Sequence, residues 1–311
     1  MYFPLLRARQ FELLALRELA IEGSIRNFVT PIFEPVKESV SSLNLANNIF
    51  VECELNGYLI LNPRVGEMSG DDDYYANYYI NLIKTRLKPA FYYRNNGGYI
   101  LNCINNFRLA DCLIICQNDV DPTQMDFQNL SENPHVKAFN VEDPGRNRSL
   151  SRYLKGLGKD VIRLDDPFEK EDRNSDFLPK REHMFSEENI YYSEEGFAGF
   201  SDYAVLPSTF SDGGSTPRAV VIHLTYLKGR QIWIRHFTSN SNFSIANVQG
   251  KFAEAADKAI SFCVANRMTN SAIDELSRYF HDHHYPGLGM VKKISIKNHL
   301  LVVTQFLSSA L

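Results

Sequence analysis

"CLIIC" (112–116) and "VKAFNV" (136–141), whose starts lie 24 residues apart, decide the fold class. Each is short, largely apolar and rich in β-branched or aromatic residues, the pattern of a strand buried on both faces. Working outward, similar runs stand at "YFPLL" (2–6), "FVTPIF" (28–33), "YLILN" (58–62), "PAFYY" (89–93) and "VIRL" (161–164). Successive starts differ by 26, 30, 31, 23, 24 and 25 residues. Helical patterns fill the intervals. "RQFELLALRELAIEG" places Phe11, Leu14, Ala15 and Leu19 on one face and stops at Gly23. "DYYANYYINLIKTRL", "YILNCINNFRLA" and "NRSLSRYLKGLG" read likewise. Strand–helix alternation at this spacing means βαβ units and a parallel sheet.

Seven units precede residue 165. An eighth strand is placed at "GFAGF" (196–200), after the charged segment "DDPFEKEDRNSDFLPKREHMFSEEN". Eight units predict an α/β fold, a (β/α)8 TIM-barrel-like single domain over 1–311. An open doubly wound sheet is the alternative, but no GxGxxG follows the first strand to support a dinucleotide site. The last third changes character. "AVVIHLTYL" and "QIWIRHFTS" flank a Lys-Gly turn and read as a hairpin, inserted over 204–246. "VQGKFAEAADKAISFCVANRM" puts Val248, Phe252, Ala255, Ala259 and Cys263 on one face and reads as the final barrel helix. A helical extension covers 268–311. Its tail, "MVKKISIKNHLLVVTQFL", reads as an extra C-terminal helix on the barrel's outside, with "ISI" leaving a strand open.

With 311 residues, 44% apolar and 23% charged, the composition is that of a soluble globular protein able to bury a large core. The 33 basic and 37 acidic residues leave a net charge of −4, which points away from strong general nucleic-acid affinity but leaves a local basic groove open. Five cysteines, an odd number with no CxxC pair, read as small buried hydrophobes in a reducing cytoplasm. The opening residues lack a signal-peptide pattern, and no apolar run reaches the roughly 18 residues of a membrane span.

In such a barrel, function sits at the C-terminal ends of the strands. The residues immediately after the runs are Arg7, Arg9 and Gln10; Glu34 and Lys37; Asn62, Pro63 and Arg64; Arg94 and Asn95; Gln117, Asn118 and Asp119; Glu142 and Asp143; Asp165 and Asp166; and Ser201 and Asp202. Two carboxylates 4 Å apart repel by about 1–4 kcal/mol for effective dielectrics between 80 and 20. A mouth holding Glu34, Asp143, Asp165 and Asp202 therefore needs an offset. Arg7, Arg9 or Arg94 could supply it as an ion-pair ring, or a divalent cation such as Mg²⁺, Mn²⁺ or Ca²⁺ could bind. Raised carboxyl pKa values, suited to acid/base work, are the third route. Polar strand ends are also what any α/β protein shows where its chain leaves the core.

Asp165, Asp202, His223 and His236 are the candidate catalytic residues. Arg7, Gln10, Glu34, Lys37, Asn62, Arg94 and Asp143 are the candidate substrate contacts. His223 and His236 lie on the two hairpin arms. With a turn centred on Lys228-Gly229 they become near cross-strand partners on one face, and one of them with Asp202 could form a general base. A hydrogen-bonded, half-buried pair is the plainer reading. "HDHHYPGLG" (281–289) does not read as a metal site. Consecutive residues at a helix end point around its axis, and histidines there complement the helix dipole before a Pro-Gly turn. "RNNGGY" (94–99) and "SDGGSTP" (211–217) could wrap a phosphate with backbone N–H groups, but plain turns account for both. "VKK" with Lys297 could form a small basic patch, but a solvated helix face is the plainer reading.

The opening "MYFPLLRARQFELLALREL…FVTPIFEPVK" resembles the start of the phage and bacterial Beta-protein family: a strand, a basic-Gln step, a helix and a "TP-x-x-E" strand. "FSDY" (200–203), "IHLTY" (222–226), "IRHF" (234–237) and "HYPGLGMVKKISIKNHL" (284–300) resemble a bacterial branch of that group. The resemblance spans almost the whole chain and implies a TIM-barrel-like fold. For this branch it also implies a nuclease-like partner, of PD-(D/E)XK type, encoded nearby in phage-defence settings. Two functions follow as expectations. One is a scaffold or sensor in a two-gene system. The other is a metal-assisted hydrolase acting on a phosphodiester or nucleotide, with Arg7 and Arg94 on the anionic oxygens and a histidine moving the proton.

Overall fold

A computed structural model describes residues 1–213 and 218–309. The chain gathers into two compact units. One comprises Met1–Leu13, Arg26–Asp166 and Tyr191–Tyr203; the other comprises Leu14–Ile25, Pro167–Ile190 and Ala204–Leu311. The strands among the described residues are β1 (Leu5–Leu6), β2 (Ile32–Phe33), β3 (Gly57–Ile60), β4 (Leu87–Tyr92), β5 (Cys112–Cys116), β6 (Val136–Glu142), β7 (Asp160–Leu164), β8 (Glu182–Ser186), β9 (Gly199–Ser201), β10 (Val221–Lys228) and β11 (Gln231–Thr238).

The first unit is a (β/α)8 TIM-barrel-like fold. Its eight strands are parallel in the order β1-β2-β3-β4-β5-β6-β7-β9. The ring is joined at β9 and β1: Phe3 N–H donates to the Phe200 carbonyl and Leu5 N–H to that of Asp202, both at 2.8 Å. That seam excludes the open sheet, which would leave both outer strands with unpaired edges. Gly199 lies on the seam. A Cβ there would overlap the Phe3 ring and come within 2.8 Å of the Met1 carbonyl, so no larger residue fits without movement. The interior is packed rather than open. Leu5, Ile32, Ile60, Leu113, Ile115, Ile162 and Leu164 form one cluster with Tyr58, Tyr92 and Tyr203.

The helices largely follow the sequence pattern. In the helix Gln10–Glu22 the buried stripe is Glu12, Leu13, Ala15, Leu16, Leu19 and Ala20, while Phe11 and Leu14 are only half-buried. The stripe is rotated from the predicted one and includes Glu12, whose carboxylate accepts the Arg7 N–H at 2.6 Å. The pattern "DYYANYYINLIKTRL" shortens to Tyr74–Ile80. The eighth strand falls at Gly199–Ser201, overlapping the end of "GFAGF".

The second unit contains an antiparallel sheet in the order β10-β11-β8. Lys228 opposes Gln231, so the hairpin loop is Gly229-Arg230, one residue beyond the predicted centre, with Gly229 supplying a φ of +65°. β8 lies inside the charged segment and is not evident in the sequence. As an edge strand its Glu182 and His183 are only half-buried, and edge strands tolerate charge. The helix Val248–Ala265 belongs to this unit, which corrects its reading as the final barrel helix. Its Phe252, Ala255, Ala256, Ala259 and Cys263 pack with Val220, Ile222, Leu224 and Phe237 of the hairpin. Leu288–Ser309 is helical throughout, so "ISI" is not a strand. Asn298 of this helix donates to the Thr225 carbonyl at 2.9 Å.

The solvated reading of "VKK" and Lys297 is also corrected. Lys293 and Lys297 are 1% and 4% exposed. Lys293 lies 2.7 Å from both Glu18 and Glu275, and Lys297 reaches Glu22 at 2.6 Å and Glu18 at 3.1 Å. Four cysteines are buried, Cys53 is half-buried, and all five are free thiols. Among the described residues no helix is long and apolar enough to cross a membrane.

Candidate functional site at the mouth of the barrel

Side chains alternate along a strand, so residues two apart share a face. Leu5, Ile32, Ile60 and Ala90 point into the barrel, which carries Arg7, Glu34 and Asn62 onto the inward side at the strand ends. Glu34 is fully buried and Arg7 nearly so, and Arg7 Nη1 forms an ion pair with Glu34 Oε2. The Tyr92 hydroxyl donates to the same oxygen at 3.0 Å, and the Arg64 N–H donates to Glu34 Oε1 at 2.8 Å. The Arg64 guanidinium lies over the Tyr92 ring at 4.5 Å, and that of Arg7 over the Tyr203 ring at 5.5 Å. Burial pushes the Tyr92 and Tyr203 phenols up to about 12, so both stay neutral donors near pH 7. The two arginines oppose that rise in each case.

The inward cluster is therefore Arg7, Glu34, Arg64, Tyr92 and Tyr203. Three of these were not among the candidate site residues. Tyr92 lies inside the strand run "PAFYY", Tyr203 stands just past the eighth strand in "FSDY", and Arg64 stands two residues beyond Asn62. The signal that places Tyr92 is the alternation from Ala90.

Other candidates have different roles. Asn62 is locked to its neighbour strand: its amide donates to the Tyr92 carbonyl at 2.9 Å and accepts the Tyr92 N–H at 2.8 Å. Arg94 pairs with Asp72 at 3.0 Å and Lys37 with Glu67 at 2.8 Å, both half-exposed or exposed. Gln10 is exposed at the start of its helix. Asp143 is exposed, with a φ of +40°.

Asp165 and Asp202 fall on the opposite face from Leu164 and Tyr203, which line the interior. Asp202, 3% exposed, accepts the Tyr2 hydroxyl at 2.5 Å. Burial drives the Tyr2 phenol well above its ordinary range, and the Asp202 charge adds to that. Asp165 takes two hydrogen bonds from Arg163, at 2.7 and 3.3 Å. Burial raises its carboxyl pKa; Arg163 opposes the rise, and Asp143 and Asp202 add to it. Among the described residues no group of three or more His, Cys, Asp or Glu is arranged to hold a metal ion.

His223 and His236 belong to the second unit and are direct cross-strand partners. Their Nδ1 atoms are 2.7 Å apart, so one ring donates to the other. Phe168 and Phe177 pack on both rings, and His183 lies 5.3 Å from His236. Burial, then His183, lowers the His236 pKa to about 3, and burial holds His223 well below the ordinary range. Both are neutral near pH 7.

The two motifs that invited ligand readings have local explanations. His281 ends the helix Ser271–His281, Asp282 caps it, and His283 turns the chain with a φ of +50°. In "RNNGGY" the N–H groups of Gly97 and Gly98 donate to the Asp126 carboxylate at 2.8 and 3.0 Å. The anion at that helix N-terminus is thus the protein's own side chain. Of "SDGGSTP", residues 214–217 lie outside the described residues.

No protein-family model, curated protein or solved structure matches this chain.

Proposed function

We propose that this chain works by binding rather than by catalysis, as the barrel scaffold or sensor of a bacterial two-gene system with a nuclease-like partner, and that it acts in the cytoplasm. The observation that carries this reading is the internal pairing of the mouth. Glu34, the most buried carboxylate there, is held by Arg7, Tyr92 and the Arg64 backbone. Asp165 and Asp202 are engaged by Arg163 and Tyr2 on the outward face of their strands. A general base or metal ligand needs a free lone pair facing the substrate. The partner's identity, and the phage-defence setting, rest on the sequence resemblance to the Beta-protein family.

The test is co-purification of the full chain with the product of the adjacent gene, together with calorimetric titration by Mg²⁺, Mn²⁺ and Ca²⁺. The expected outcome is a stable complex that survives Asp165→Asn and Asp202→Asn, with no ion bound at millimolar concentration. Ion binding abolished by either substitution would overturn the reading and favour the hydrolase. One observation favours that second reading. Burial raises the Asp165 pKa, and the charges of Asp143 and Asp202 add to that rise.

A further inference from the structure

A cleft of about 550 Å³ opens beside β11 in the second unit. Arg181, Arg235 and Lys258 line it, and none of its lining residues is acidic. Arg235 is partly neutralised by Glu182 at 2.9 Å, and its guanidinium lies 4.5 Å from the Phe262 ring centre. Lys258 is anchored by the Thr238 carbonyl and Asn240 Oδ1, at 2.5 and 2.7 Å. Arg181 is exposed and forms no ion pair among the described residues. The cleft therefore carries a cationic excess.

Its inner wall adds a second, independent sign. His236 and Thr238 line the cleft and are 4% and 3% exposed, yet His236 Nε2 and Thr238 Oγ1 have no hydrogen-bond partner. Buried polar atoms are normally satisfied, so an unmet one on a cleft wall calls for a partner such as water, an ion or a bound ligand. Half-buried Phe262 supplies an apolar surface. Cations, unmet polar atoms and an aromatic wall, in a volume within the range of small-molecule sites, specify an anion on a flat apolar body.

We propose that this cleft binds a phosphomonoester carried on a planar ring, of the nucleoside monophosphate class. Arg181 and Lys258 take the phosphate, with Arg181 free to offer its planar fork to two oxygens. The ring lies against Phe262. His236 Nε2 and Thr238 Oγ1 meet polar atoms of the ring or sugar. The inference does not depend on the barrel's role.

The test is titration of the full chain with AMP, GMP, CMP and UMP, and with adenosine and inorganic phosphate as partial ligands. Calorimetry and the fluorescence of Trp233, the single tryptophan and two residues from Arg235, are the readouts. At least one monophosphate should bind saturably at one site. Inorganic phosphate and the bare nucleoside should bind at least tenfold more weakly. Arg181→Ala should weaken the monophosphate tenfold or more, and Thr238→Val threefold or more, without shifting the melting temperature. No saturable binding of any monophosphate at millimolar concentration overturns the proposal. So does affinity unchanged in both variants, or phosphate alone binding as tightly as the monophosphates.

Discussion

Replacing Glu34 by alanine tests whether the mouth of the barrel is held together by its own charges. The Glu34 side chain is fully buried, and Arg7 is 8% exposed. Removing the carboxylate breaks the buried ion pair with Arg7 and takes away the acceptor of the Tyr92 hydroxyl and the Arg64 N–H. Breaking a buried ion pair from one side costs about 3–5 kcal/mol. At about 2–4 °C per kcal/mol for a unit of this size, the melting temperature should fall by roughly 6–20 °C. Replacing both partners by leucine should cost far less than the two single changes together, because a well-packed apolar pair often substitutes for a buried ionic one without loss. Urea unfolding followed by far-UV circular dichroism, on Arg7→Leu, Glu34→Leu, the double variant and Glu34→Ala, measures the cycle. A Glu34→Ala cost below about 1 kcal/mol, or strictly additive single changes, would refute the argument that each of these charges is held in place by the other.

Three further outcomes are expected. His236 and His223 have folded pKa values held below the unfolded value, so the neutral rings stabilise the fold fully above about pH 6.5, and that stability is lost as pH falls from there toward 3. The slope is up to about 1.4 kcal/mol per pH unit for each ring, and urea midpoints from pH 7 to 4 should show a shallower slope in His236→Asn; an unchanged slope counts against the account. Lys293→Met should destabilise the second unit by about 3 kcal/mol or more, since Glu275 loses its buried partner, and denaturant unfolding read at Trp233 checks it. Gly199→Ala should cost about 1–3 kcal/mol by pushing the Met1 carbonyl and Phe3 ring apart, with faster amide exchange at Phe3 and Leu5 showing that the seam has loosened.

The barrel strands are legible in the sequence because most of their residues are buried on both faces, so their apolar runs are broken only at a few positions such as Lys88, Lys137 and Arg163. β8 is not legible for the opposite reason. Its "EHMFS" has one half-exposed charged end and sits at a sheet edge, where solvent removes the constraint that makes strands recognisable. The helix Val248–Ala265 shows a correct apolar face, but periodicity states only that a face is buried, not against what. The partner in this case is the hairpin's Ile222 and Leu224. Lys293 and Lys297 mislead by the same logic. Lysines in a helix suggest solvent until Glu18, Glu22 and Glu275, distant in sequence, are brought beside them.

For the candidate site the limit is parity. The residues just past each strand include inward and outward side chains alike, and a shift of one position moves a side chain to the other face. Arg7, Glu34 and Asn62 continue the inward series of Leu5, Ile32 and Ile60. Asp165 stands one position after Leu164, and Asp202 one position before Tyr203, so both continue the outward series. The four carboxylates expected to crowd one mouth are thereby divided. Glu34 meets arginine and tyrosine inside, and Asp202 meets Tyr2 outside. The electrostatic problem that called for a cation is relieved by geometry and by pairing within the chain. Arg64 differs from Arg7: its backbone serves Glu34, while its guanidinium lies over Tyr92 with Nε lacking a hydrogen-bond partner. Arg64 thus sets a cation on an aromatic face, while Glu34, Asp165 and Asp202 are each engaged within the chain. That arrangement is in keeping with the binding role proposed above, which leaves no role for these three carboxylates as general bases.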